Sequence, residues 1–141
     1  KQLREQIDAL CQTKKIGLQV EIEHLPAVLS ADKLLLERAI MNVVNNALDY
    51  SPQDSSILIS MTGDKGSLKI SVTDAGPGFS QEDLLHAEEQ FYMADRSRSS
   101  NLHFGMGLFI TKSIVQQHGG QLILSNSEKT GGAQVTISIP Y

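Results

Sequence analysis

Residues 36–52 read LERAIMNVVNNALDYSP, and this stretch decides the fold. Its apolar side chains recur every three or four positions, at Leu36, Ile40, Val43 and Ala47. That spacing predicts a long helix with one apolar face, which must be buried against another layer of structure. Ser30 or Asp32 can cap the amino end of this helix, and Pro52 ends it.

The other predicted elements surround this helix along the chain. Glycines and prolines separate short segments of alternating apolar residues from segments with helical spacing. Because helices lie beside strands that are joined by short hairpins, we expect an α+β fold with two layers, a mixed sheet with helices on one face. The predicted strands are 18–22, 57–61, 68–72, 121–125 and 135–139, and the other predicted helices are 2–13, 80–90 and 107–118.

Composition indicates one ordinary globular domain. The chain has 141 residues, of which 40% are hydrophobic and 20% charged. A net charge of -4 argues against nucleic-acid binding as the main role. The single cysteine, Cys11, excludes a disulfide within the chain and a zinc site built from several cysteines, and its apolar neighbours predict a buried, inert thiol. The apolar runs are too short to span a bilayer. Together with the single cysteine, this leads us to expect a soluble domain from a reducing compartment.

Polar residues stand at two places where the predicted elements end. Asn42 and Asn46 lie one turn apart on the edge of the apolar face, where their amide oxygens can ligate a hard cation such as Mg²⁺. The same pattern also occurs in solvated helices. Asp74 opens the turn 74–78, DAGPG, at a strand end, and its carboxylate can accept a hydrogen bond from a nucleobase amino group. A tight turn with a local cap is the alternative interpretation.

Two further features lie toward the carboxyl end. Residues 105–108, GMGL, stand at a helix start, where free N–H groups favour phosphate. This is neither the dinucleotide fingerprint, because Ile110 stands in place of the third glycine, nor a P-loop. The segment 91–106 has no periodicity, and Arg96 and Arg98 within it can reach phosphate oxygens if it is a lid rather than a surface loop.

In this order, the four features closely resemble the catalytic ATP-binding domain of sensor histidine kinases, of the GHKL superfamily. Residues 42–52 resemble the N box, 74–78 the G1 box, 91–98 the F box with the lid, and 105–108 the G2 box. The resemblance implies a single catalytic domain over 1–141, with a mobile ATP lid at about 91–106 and no dimerisation or phosphoacceptor domain. The implied fold is the Bergerat-type α/β sandwich with a mostly antiparallel five-stranded sheet.

The resemblance also assigns roles to individual residues. Asn46 would hold the Mg²⁺ that bridges the ATP phosphates, Asn42 would support that catalytic site, and Asp74 would bind the adenine amino group. The remaining implied ATP contacts are base-pocket residues Gly76 and Gly78, phosphate-cradling residues Gly105, Gly107 and Leu108, and the further phosphate contacts Arg98 and Tyr50.

The implied activity is transfer of the ATP γ-phosphoryl group to a histidine on a separate dimerisation domain, and then to a response regulator. None of the four histidines of this chain has the sequence context of the acceptor. The isolated domain is expected to be monomeric and cytoplasmic, within a membrane-anchored kinase, with no nucleic acid as partner. The alternatives are a GHKL-type ATPase and a degenerate module that only mediates interactions.

Asn42 and Asp49 help to decide between a kinase, an ATPase and an interaction module. The ATPases of the superfamily carry a water-activating Glu where this chain has Asn42, whose amide cannot take a proton, and this favours a kinase. The family usually has a basic residue where Asp49 stands. A carboxylate there would repel triphosphate, so we leave Asp49 out of the expected site.

Overall fold

The computed structural model describes residues 2–23, 33–64, 66–81, 84, 106–128 and 131–140. The helices in these ranges are α1 (Gln2–Lys14), α2 (Lys33–Tyr50) and α3 (Met106–Gln117). The strands are β1 (Gly17–Glu23), β2 (Ser56–Asp64), β3 (Ser67–Thr73), β4 (Gln121–Asn126) and β5 (Ala133–Pro140). None of the helices in the described ranges is long and apolar enough to cross a membrane. The helix predicted at 80–90 lies almost wholly outside the described residues.

The strands form one five-stranded sheet in the order β1-β2-β3-β5-β4. Strand β1 runs parallel to β2, and every other neighbouring pair is antiparallel. The predicted mixed, mostly antiparallel sheet is therefore confirmed. The hairpin between β2 and β3 is tighter than the predicted strands indicated, because Gly63 pairs with Leu68 and Asp64 pairs with Ser67 inside the ladder. Gly66 takes a φ of 82° there, which glycine adopts without steric cost.

The core lies between the sheet and the helices. Alternate residues of the central strands are buried on the side that faces the helices, as Ile57 and Ile59 of β2 and Ile137 and Ile139 of β5 show. Helices α2 and α3 supply the other side of the core, with side chains that include Val43, Val44, Ala47, Leu48, Ile114 and Val115. Burial of these apolar faces is the main driving force for the two-layer arrangement.

The opposite face of the sheet is polar. Most of its outward positions carry hydroxyl, amide or charged side chains, with Leu58 and Ile123 as exceptions. Ser71 and Thr136 join across neighbouring strands through a hydrogen bond of 3.0 Å between their hydroxyl oxygens. Alternation between apolar and polar positions is the pattern of an antiparallel sheet that is covered on one side.

The end of α1 is fixed beside the loop that follows α2. The Asp54 N–H donates to the Lys15 carbonyl oxygen at 2.8 Å, and the Gly17 N–H donates to the Ser55 carbonyl oxygen at 2.7 Å. Lys15 itself takes a φ of 60°, which reverses the chain between α1 and β1. These backbone contacts set the position of the last residue of α1, Lys14, relative to the end of α2.

Two leucines of α2 test the core directly. Leu48 is 2% exposed and Leu34 is 77% exposed. We expect Leu48→Ala to lower the free energy of unfolding by about 2–5 kcal/mol, because it leaves a cavity in the core. Leu34→Ala is the matched control and should change that free energy by less than about 0.5 kcal/mol. Urea denaturation measures both variants, and equal losses would contradict the described core.

Candidate functional site

The turn after β3 holds a buried carboxylate. Asp74 is 3% exposed. Its Oδ1 accepts hydrogen bonds from the N–H groups of Gly76 and Ala133, each at 2.9 Å. The Asp74 N–H in turn donates to the Ala133 carbonyl oxygen at 2.9 Å. A buried carboxylate needs such donors to replace water, and here they also fix the orientation of the side chain.

The same turn packs against the end of α2. The Ala75 N–H donates to the Ser51 hydroxyl oxygen at 3.1 Å. Gly76 leaves no room for a side chain, because a Cβ at this position would collide with the carbonyl oxygen of Tyr50. Asn46 lies four residues before Tyr50, about 6 Å back along the helix axis. The structure thus brings the aspartate turn to the end of the asparagine-bearing helix.

The asparagines of α2 lie at the edge of its buried face, as predicted. Asn42 and Asn46 are half-buried, whereas Asn45 between them is exposed. The Nδ2 atom of Asn42 is buried, and no acceptor in the described part of the chain is within hydrogen-bonding distance of it. An amide that has lost water without gaining an acceptor is costly, so this atom is suited to an oxygen of a ligand.

Gly78 and its neighbours close the turn on its other side. Gly78 has a φ of 84°, and a Cβ there would collide with the Gly131 carbonyl oxygen. The side chain of Asn126 spans the backbone of Phe79, whose N–H donates to Oδ1 at 2.7 Å and whose carbonyl oxygen accepts from Nδ2 at 3.0 Å. The sequence analysis missed Asn126, because one asparagine at a strand end carries no periodic or motif signal.

Gly132 is a second residue that the sequence analysis missed as part of the site. A Cβ on Gly132 would collide with the backbone carbonyl oxygen of Asp74 and lie 2.9 Å from its Oδ1. The predicted strands 121–125 and 135–139 leave this glycine in the loop between them, where no motif marks it as a site residue. Glycine at this position lets the chain between β4 and β5 approach Asp74 closely enough for the hydrogen bond from Ala133.

Helix α3 begins near the first half of α2. The Thr111 hydroxyl donates to the Ala39 carbonyl oxygen at 3.5 Å, and Ala39 lies one turn before Asn42. Gly107 is in the first turn of α3, as predicted. Leu108 is 1% exposed, so its side chain belongs to the core, and only its backbone could contact a phosphate.

Some predicted site residues fall outside the described part of the chain. These are Arg98, Gly105 and residues 91–105 of the expected lid. Position 106, the last residue assigned to that lid, is instead the first residue of α3. The proposed roles of Arg98 and Gly105 therefore stay predictions.

The described titratable groups offer little alternative chemistry. Burial raises the pKa of the Cys11 thiol, and the nearby Asp8 carboxylate adds to this shift, so Cys11 is a poor nucleophile. Within the described ranges, no group of three or more His, Cys, Asp or Glu side chains is arranged to hold a metal ion. A groove of about 730 Å³ opens on the polar face of the sheet, where Asp74 and Gln134 contribute to its lining, but Asn42 and Asn46 do not.

Comparison with known proteins relates the chain to one family. Residues 31–141 match the model of the histidine kinase-, DNA gyrase B- and HSP90-like ATPase family. The sensor histidine kinase SpaK of Bacillus subtilis is 39% identical over 134 residues, which cover 95% of this chain and 29% of SpaK. The chain thus spans less than a third of the length of this curated relative.

Solved structures support the same fold. The catalytic domain of the histidine kinase ThkA superposes with a TM-score of 0.81 at 21% identity, covering 99% of this chain and 88% of that domain. The mycobacterial sensor histidine kinase MprB superposes with a TM-score of 0.78 at 25% identity, covering 98% of this chain and 91% of the MprB chain. The α+β architecture is therefore that of histidine kinase catalytic domains.

The two hydrogen bonds between the Asn126 side chain and the Phe79 backbone, which we call the clamp, can be tested by mutation. Asn126→Ala removes two hydrogen bonds and leaves the Phe79 backbone groups without those partners. We expect the free energy of unfolding to fall by about 1–3 kcal/mol. The control is Asn45→Ala at an exposed helix position, which should be neutral or slightly stabilising. Thermal and urea denaturation measure both, and an Asn126→Ala variant as stable as the control would refute the clamp.

Proposed function

Because this chain belongs to the family of histidine kinase-, DNA gyrase B- and HSP90-like ATPases, we propose that it is the ATP-binding catalytic domain of a sensor histidine kinase. The domain transfers the γ-phosphoryl group of ATP to a histidine of a separate dimerisation domain. The observation that carries the proposal is the contact between the Asp74 turn and the end of α2. This contact joins Asp74, whose carboxylate binds the adenine base in this proposal, to the helix that carries Asn42 and Asn46. The amides of these two asparagines bind the phosphates and the metal ion.

Asp74 binds the adenine base in this proposal. Its carboxylate accepts a hydrogen bond from the adenine amino group, which is stronger than a bond to a neutral acceptor. Support comes from its burial and from the two backbone N–H groups that fix its orientation. Gly76 and Gly78 complete the base pocket, because the absence of side chains lets the turn lie close to a flat ring.

The phosphates lie along α2 and the start of α3. Mg²⁺, which offsets the negative charge of the phosphates when bound, fits the carboxamide oxygen of Asn46, because this ion prefers oxygen ligands. The buried Nδ2 of Asn42 is suited to a phosphate oxygen. The backbone N–H groups at the start of α3 receive the phosphates at the positive end of the helix dipole. The other assigned phosphate contacts are Tyr50, Arg98, Gly105, Gly107 and Leu108.

Phosphotransfer suits these residues better than hydrolysis does. Transfer of a phosphoryl group depends mainly on positioning and charge neutralisation. The acceptor imidazole is already a nucleophile when neutral, so this domain needs no strong base. Hydrolysis would need a group that activates water, and Asn42 cannot accept a proton. We therefore place the chain with the kinases rather than the ATPases.

The acceptor histidine and the later partners belong to the whole kinase. His118 has a structural role, because its Nδ1 lies 2.8 Å from the Ile114 carbonyl oxygen at the end of α3. His24, His86 and His103 lie outside the described residues. We assign the acceptor to the dimerisation domain of the same kinase, followed by a response regulator. The catalytic domain, over 1–141, is a monomer on the cytoplasmic side of a membrane-anchored protein.

Asp74→Asn tests the base contact. The variant keeps the size of the side chain but removes its charge, so we expect ATP binding to weaken by about 1–3 kcal/mol. Asp8→Asn is the control, because it neutralises a partly exposed carboxylate on α1 and should leave ATP affinity unchanged. Isothermal titration with ATP measures both variants. Unchanged affinity in Asp74→Asn would exclude Asp74 as the base contact.

Asn46→Ala tests the metal contact and the activity together. The assay mixes the chain with labelled ATP, Mg²⁺ and the cognate acceptor helices, and then measures phosphohistidine. We expect the rate to fall about 10- to 100-fold, while nucleotide binding without Mg²⁺ changes much less. Asn45→Ala should behave as wild type in both assays.

Three results would contradict this account of the function. Equal losses in the two assays would remove the metal role of Asn46. Wild-type protein that binds no nucleotide up to about millimolar concentration, an affinity near 4 kcal/mol, would leave only an interaction module. Rapid ATP turnover without an acceptor would instead favour an ATPase.

A further inference from the structure

An ion pair joins two helices at Asp49, which lies three residues after Asn46 on α2. Lys14 Nζ, at the end of α1, donates a hydrogen bond of 2.9 Å to Asp49 Oδ1, near the end of α2. We propose that Lys14 is a positioning residue for the nucleotide, which neutralises Asp49 and so allows the phosphates to bind along α2. This inference rests on the proposed function and adds a residue that none of the four motifs contains.

The position of Asp49 on α2 makes its charge relevant to the phosphates. At about 100° per residue, seven residues bring Asp49 back to within about 20° of the direction of Asn42. Asn46 lies between them along the same side of the helix. An unneutralised carboxylate on this side would repel a triphosphate bound by the two asparagines.

The position of Lys14 is set by the backbone rather than by the ion pair. The hydrogen bonds from Asp54 to Lys15 and from Gly17 to Ser55 hold the end of α1 beside the loop that follows α2. These backbone hydrogen bonds therefore hold Lys14 close to Asp49. An ammonium group has three N–H donors, and the bond to Asp49 uses one of them. The others can be directed to water.

The ion pair between Lys14 and Asp49 is expected to contribute little to the free energy of folding. The side chains of Lys14 and Asp49 are 41% and 61% exposed, and ion pairs with such exposure contribute little to folding. Another pair on α1, between Arg4 and Asp8 at 3.4 Å, has similar exposure but joins residues of the same helix. Arg4 lies ten residues from Lys14, about 15 Å along α1, so it provides a matched control at a distance from α2.

The test compares nucleotides that share a base and differ in charge. Adenosine, AMP and ATP with Mg²⁺ are titrated calorimetrically into wild type, Lys14→Met and Arg4→Met. We expect Lys14→Met to weaken ATP binding about three- to tenfold at low salt, AMP less, and adenosine by less than about twofold. Arg4→Met should bind all three as wild type does. The difference between ATP and adenosine should shrink at high salt.

Two further variants separate charge from structure. Lys14→Arg keeps the charge and should bind ATP as wild type does. Lys14→Met combined with Asp49→Asn removes both charges and should recover most of the lost ATP affinity. Recovery of this kind is not expected if Lys14 merely supports the fold. Thermal unfolding of Lys14→Met should remain close to that of wild type.

The outcomes distinguish this inference from the proposed function. If Lys14→Met leaves ATP binding unchanged, weakens adenosine and ATP equally, or matches Arg4→Met, the role of Lys14 is overturned while nucleotide binding stands. Failure of the double variant to recover ATP affinity also overturns it. If wild type binds neither adenosine nor ATP, the proposed function itself fails.

Discussion

The contact between Gly76 and the carbonyl oxygen of Tyr50 is the constraint on which the site depends. It leaves no space for a side chain and joins the turn after β3 to the end of α2. The hydrogen bond from Ala75 to Ser51 holds the same junction. Because a strand end and a helix end are fixed together here, the carboxylate proposed to bind the base and the amides proposed to bind the phosphates are held in one structural unit. A substitution that separates them would remove the site without removing any of its functional side chains.

The rest of the fold keeps this junction in place. The apolar face of the sheet packs against α2 and α3, so the direction of α2 relative to β3 is set by core packing. The chain between β4 and β5 then approaches the turn from the other side, where Ala133 donates to Asp74 and Asn126 pairs with Phe79. Core packing and hydrogen bonds to the backbone therefore preorganise the junction between the turn and α2.

Sequence reasoning was most successful where periodicity is strong and local. The apolar repeat of α2 and the alternating strands predicted the elements and the mixed sheet, within a few residues at their ends. The positions of Asn42 and Asn46 at the edge of the buried face were also predicted. Long-range partners were not predicted, because neither Asn126 beside Phe79 nor Gly132 beside Asp74 has a local pattern. Asp49 was set aside for its charge alone, and its contact with Lys14, 35 residues away in the chain, required the folded structure.

The central claim is that Asp74 and the asparagines of α2 bind opposite ends of one nucleotide. A titration of the ¹⁵N-labelled chain with ATP and Mg²⁺, followed by NMR, tests it most directly. We predict that the backbone amides of Ala75, Gly76 and Gly78 and those of residues 42–50 shift together, with one dissociation constant. Shifts confined to one of these segments, or two separate dissociation constants, would contradict the account.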